Sequence, residues 1–94
     1  MLPKAALLTL FHAKHSLPMT EIEKQIEELT ARIAADPADA AALYRRGSLY
    51  WKLGQRAAAI TDFNASALLD PTGPGATAAD HARSILDFFN PQNP

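Results

Sequence analysis

The chain has no cysteine among its 94 residues. Disulfides, thiolate nucleophiles and Cys-ligated zinc are therefore excluded. The absence suits a reducing, cytoplasmic setting. Excess charge is missing too: nine Lys and Arg against ten Asp and Glu leave −1 at pH 7, with a pI of about 6.2. Neutralising phosphates takes a cationic face, so no nucleic-acid partner is expected. Nor is there a long apolar run. Ala5-Ala6-Leu7-Leu8-Thr9-Leu10-Phe11 is the longest, far short of the roughly 20 residues of a membrane-spanning helix, so no membrane partner is expected. Lys4 ahead of that run lends it a signal-peptide look, but the run is at the short limit for such a segment, and His12, Lys14 and His15 follow it. No Gly-rich phosphate loop, paired-acid motif or H-E-x-x-H is present, which argues against an enzyme and against a bound cofactor. Alternation at period two is hard to find, which argues against strands.

What is present favours helix. Hydrophobic residues make up 48% of the chain, too many for a disordered one. Alanine is the commonest residue and the best helix former. The length suits one domain with a modest core. Thr20 and Glu23 form a T-x-x-E capping box, which predicts a helix over about 20–35 with Ile22, Ile26, Leu29 and Ile33 on one stripe. Asp36-Pro37 ends it. Either Asp36 or Asp39 can cap a second helix over about 39–53, which Gly54 stops. A third spans about 56–69 and closes at Asp70-Pro71. Thr72-Gly73-Pro74-Gly75 reads as a turn. A fourth spans about 77–89, with Ala82, Ile85, Leu86 and Phe89 inward, and a non-helical tail follows. Residues 1–18 differ in character and stop at Pro18, directly before Met19. They read either as an upstream extension or targeting segment, or as an extra helix packing on the domain. The organisation is thus an extension over 1–18, a helical domain over 19–90 and a tail over 91–94.

The strongest signal is a repeat. Asp36-Pro37 recurs as Asp70-Pro71, 34 residues on. The same shift lays Ile26 on Ile60, Leu29 on Phe63, Ile33 on Ala67 and Ala35 on Leu69. That is the period of a helix–turn–helix repeat. Within 40–71, Leu43, Arg46-Gly47, Tyr50, Ala59, Phe63 and Pro71 follow the order W-x₂-L-G-x₂-Y, A-x₃-F, P. On these residues the chain resembles the tetratricopeptide repeat (TPR) family, with Leu43 for Trp, Arg46 for Leu and Ser66 for Ala as departures. The full repeat covers 38–71, about a third of the chain. Residues 22–37 look like the second helix of a preceding repeat and 77–89 like a capping helix, an order similar to small bacterial proteins of this family. The resemblance implies an all-α fold of antiparallel helix–turn–helix hairpins in a short α–α solenoid. Gly47 and Ala59, both small, mark a close helix crossing, with Tyr50 and Phe63 filling the space around it. One repeat and a half is below the usual three, so flanking helices or another chain must complete the core.

The resemblance also implies a function: a non-enzymatic module that binds a peptide or helix of a partner protein through the helix 39–53. Its groove-facing positions are Ala41, Tyr44, Ser48, Trp51 and Lys52. Tyr44 and Trp51 carry the most weight, because aromatics dominate interface hot spots, although either can instead pack on a neighbouring helix. Arg45, Arg46, Lys52 and Arg56 form the densest basic cluster. Arg45 and Lys52 lie two turns apart on nearly one side, suited to a carboxylate; the plainer reading is a solvated charged face. The chaperone-tail clamp of some family members is not matched, because Tyr44 and Ser48 stand at its Lys and Asn positions. The alternative function is self-association, a homodimer completing the solenoid. His12 and His15 are too few for a zinc site, so no metal is expected. His81 and Ser84 share a helix face without an acid to orient the histidine. Phe88 and Phe89 point about 100° apart, so with Phe89 inward Phe88 is a partly exposed candidate contact, or else both lie on a wide core face wrapped by the tail.

Overall fold

The computed structural model describes residues 19–88, with side chains as far as Leu86. The described residues form four α-helices and no strand: α1 (Glu21–Ala35), α2 (Ala40–Lys52), α3 (Arg56–Leu69) and α4 (Pro74–Phe88). The all-α expectation holds. The expected extension over 1–18 and the tail lie outside the described residues, as do His12, His15 and Phe89.

Each helix end has a local chemical cause. Thr20 is an extended N-cap whose hydroxyl accepts from the Glu23 N–H, while the Glu23 carboxylate accepts from the Thr20 N–H at 3.1 Å. This reciprocal box satisfies two otherwise orphaned donors. Those hydrogen bonds, the backbone one foremost, hold the Glu23 carboxyl below its ordinary value. Of the two candidate caps for α2, Asp39 does the work, accepting from the Ala42 N–H at 3.0 Å. Asp36 instead accepts from the Ala38 N–H in the turn. After α2, Gly54 sits at φ +79°. The N–H of Gly54 donates to the Trp51 carbonyl and that of Gln55 to the Tyr50 carbonyl, at 3.0 and 2.9 Å. That pair of bonds is a Schellman closure, and it needs a left-handed residue that glycine supplies without strain.

The fourth helix starts earlier than its expected position near residue 77. Pro74 opens it, and Gly75 lies inside it. Proline suits a first helical position because its missing N–H would be unpaired there anyway. Gly75 is buried where a Cβ would collide with the Ser66 hydroxyl, so its glycine permits contact with α3 and is not a flexible link.

The 34-residue period is present in the backbone. α1 and α3 end at Ala35 and Leu69, and α2 and α4 begin at Ala40 and Pro74, each pair 34 apart. The residues that close α1 and α3, Asp36 and Asp70, share one conformation, φ −141° and ψ 87°. Their N–H groups donate to the carbonyls of Arg32 and Ser66, and the N–H groups of Asp39 and Gly73 donate to the carbonyls of Asp36 and Asp70.

α3 is central. It packs against α2 on one side and α4 on the other, α2 also touches α4, and among the described helices α1 rests on α2 alone. The buried residues of α3 are Ala59, Asp62, Phe63 and Ser66, the i, i+3, i+4, i+7 spacing of one helix face. Ala59 is 0% exposed. A Cβ on Gly47 would stand 2.8 Å from the Phe63 ring and 3.1 Å from the Ala59 carbonyl oxygen, so α2 and α3 cross at the small-residue contact the pattern implies. Ala79 and Ala82 of α4 complete the buried cluster, with Tyr44, Tyr50 and Trp51 packed against it. Leu86, expected inward, is 40% exposed. α1 buries no residue fully: Ile22, Ile26, Leu29 and Ile33 are each only half-buried.

Candidate functional site

An open groove of about 430 Å³ lies between α2 and α4. Tyr44, Ser48, Trp51 and Lys52, at i, i+4, i+7 and i+8, form its α2 wall, Phe63 its floor, and Ala78, His81 and Ala82 its α4 wall. The two alanines keep the α4 wall low, so the aromatic rings of α2 are only half covered. Tyr44 is fixed from below by Phe63, whose ring centroid is 6.1 Å away at a 35° tilt. The Arg56 guanidinium stands 5.6 Å from the centre of the Trp51 ring, a cation–π contact that holds the indole at the rim. The Ser48 hydroxyl donates to the Tyr44 carbonyl at 3.0 Å. None of the described residues lining this groove is acidic, while Lys52 and His81 both border it.

Four of the five predicted partner-binding residues, Tyr44, Ser48, Trp51 and Lys52, thus share one groove. Arg45 does not join Lys52 there. It lines a second cleft, between α1 and α2, together with Glu21, Gln25, Glu28 and Arg32. Arg45 lines this cleft and also a depression that reaches Asp70 and Pro74, whereas Lys52 faces α4. Ala41 also leaves the groove, lying beside Asp70 and Pro74 in a separate depression.

Arg46 is the larger correction, for it does not belong to a solvated basic face. Its Nε and Nη2 donate to the two carboxylate oxygens of Asp62 at 2.7 and 2.8 Å, a bidentate charge-assisted pair. Nη1 donates to the Thr30 hydroxyl at 3.1 Å, and the guanidinium stands 5.7 Å from the centre of the Tyr50 ring. The hydrogen bonds that Arg46 donates to Asp62 raise the Arg46 pKa above its ordinary value against the opposing effect of burial. One side chain thereby ties α1, α2 and α3 together. The signal for it was present: Asp62 falls on the buried register of α3, where an acid requires a partner. Ser66, on the same register, donates to the Ala40 carbonyl at 2.8 Å, which accounts for a hydroxyl in place of alanine.

The Ser84 hydroxyl donates to the Asp80 carbonyl one turn back. His81 is exposed and serves as a groove wall. Among the described residues no three His, Asp or Glu side chains cluster to hold a metal ion, and no helix is long and apolar enough to cross a membrane. Protein-family models, characterised proteins and solved structures yield no match to this chain.

Proposed function

We propose that the chain is a non-enzymatic interaction module of tetratricopeptide type, a short α–α solenoid that binds a peptide or helix of a partner protein in the groove between α2 and α4, in a cytoplasmic setting. The observation that carries this reading is the groove itself. Tyr44 and Trp51 offer half-covered aromatic faces, Lys52 supplies a cation at the rim, and no acid among the described lining residues opposes an incoming carboxylate. Aromatic surface held rigid before binding is the usual source of hot-spot energy. The 34-residue backbone repeat and the crossing at Gly47 support the family reading.

The test is affinity capture from the native lysate with two variants. Trp51→Ala is expected to lose the captured partner while keeping the far-UV helix signal. Leu68→Ala, on the 85% exposed outer side of α3, is expected to keep both. Undiminished capture by Trp51→Ala removes this reading. Trp51 is the chain's one tryptophan, so its fluorescence also reports directly on any purified peptide.

A second reading, self-association, is favoured by the lack of any fully buried residue in α1. Sedimentation across the micromolar range tests it, and a monomer at every concentration rejects it.

A further inference from the structure

The cleft between α1 and α2 encloses about 650 Å³, and the 34-residue repeat says what shape it was built to receive. Its α1 wall includes Gln25, Glu28, Leu29 and Arg32. Shifted by 34, these become Ala59, Asp62, Phe63 and Ser66, the four buried residues of α3, which receive α2. Its α2 wall includes Tyr44, Arg45 and Ser48, which become Ala78, Ala79 and Ala82, the α4 residues facing the α2–α3 unit. Both walls are therefore copies of surfaces that elsewhere in the molecule hold a helix. An occupant of this cleft would stand to α1 as α2 stands to α3.

Moving α2, residues 40–52, back by 34 gives residues 6–18. We propose that this segment of the chain, Ala6 to Pro18, is the cleft's occupant, completing a first helical pair with α1. Three correspondences in the register support it. Ala13 falls on Gly47, the close-approach position, and Leu29 stands where Phe63 crowds that glycine; the shorter leucine leaves room for the alanine methyl. His12 falls on Arg46 and Glu28 on Asp62, so the ion-pair positions carry a base and an acid again. Leu10 and Leu17 fall on Tyr44 and Trp51, keeping apolar groups at those places. The join differs: Pro18 and the extended Thr20 stand in place of the left-handed Gly54 turn, within the two to eight residues that commonly link packed helices.

A second copy fits the cleft less well. Its α4 would be the helix available, and the same register sets Asp80 opposite Glu28 and the bulky His81 at the close crossing. Like charges and an imidazole at a contact made for a small residue both oppose that arrangement. The inference rests on the backbone repeat and not on partner binding, so its failure leaves the α2–α4 groove reading untouched.

The absence of native cysteine makes the test clean. In the full chain, Ala13→Cys with Gln25→Cys copies the Gly47–Ala59 contact, and Ala13→Cys with Lys24→Cys is the control with nearly the same loop length. Both variants are first matched to the parent by far-UV circular dichroism. Under mild oxidation the first pair is expected to form an intramolecular disulfide at least tenfold faster than the control, read by non-reducing gel and mass. Equal rates in the two pairs overturn the proposal. Disulfide-linked dimers in place of the intramolecular product from the first pair overturn it equally.

Discussion

Arg46→Met is expected to cost more stability than Asp62→Ala, although each deletes the same ion pair. The inequality follows from burial. The Asp62 side chain keeps only 4% of its surface exposed, whereas that of Arg46 keeps 18%. Removing the guanidinium strands a carboxylate inside the α2–α3 contact, and breaking a buried pair in that manner costs about 3–5 kcal/mol. Removing the carboxylate leaves a guanidinium that still reaches water and the exposed Thr30 hydroxyl, so the loss falls nearer the 1–3 kcal/mol of an unsatisfied polar group. A domain with about 70 described residues has roughly 4–10 kcal/mol in all at 0.05–0.15 kcal/mol per residue. Arg46→Met should therefore bring the domain close to unfolding at 25 °C. The double variant Arg46→Met, Asp62→Leu replaces the pair by apolar groups and should recover most of the loss, giving a large coupling energy in a double-mutant cycle. Urea denaturation followed by far-UV circular dichroism measures all four proteins. Equal losses from the two single variants, or a greater loss from Asp62→Ala, would refute the reasoning.

Two further outcomes test the local structure. Gly47→Ala gains about 1 kcal/mol of helix propensity, but its new methyl meets the Phe63 ring at 2.8 Å, and overpacking costs about 1–3 kcal/mol; the net is expected to be destabilising by about 1 kcal/mol in urea, turning neutral or favourable in a Phe63→Leu background. Glu23 has a lowered pKa because it is hydrogen-bonded to Thr20. It therefore contributes stability above the ordinary carboxylate range that is lost as pH falls through its depressed value; Glu23→Ala should remove that part of the acid sensitivity of α1, read as residue-resolved helix populations by NMR.

The helices were legible wherever their cause was local. Thr20 with Glu23, Asp39, Gly54 and the recurring Asp-Pro pairs act within a turn of their own positions, and each ends or begins a helix as its chemistry demands. The start of α4 was misplaced because Gly73-Pro74-Gly75 looks like a turn unless one knows that Ser66 lies against Gly75. Tyr44, Ser48, Trp51 and Lys52 line one groove because their spacing on a single helix puts them on one face, whereas the cleft that Arg45 lines depends on where α1 lies.

Composition and spacing alone determined the described helices, their 34-residue period and a tight crossing at Gly47, because capping, propensity and apolar periodicity act over a few residues. Tertiary structure decided the rest. The pairing of Arg46 with Asp62 spans 16 residues, and the division of the α2 surface between a groove with α4 and a cleft with α1 depends on which helix lies opposite each side chain. Such facts depend on the rotation and crossing of whole helices, for which no single position in the chain carries the information.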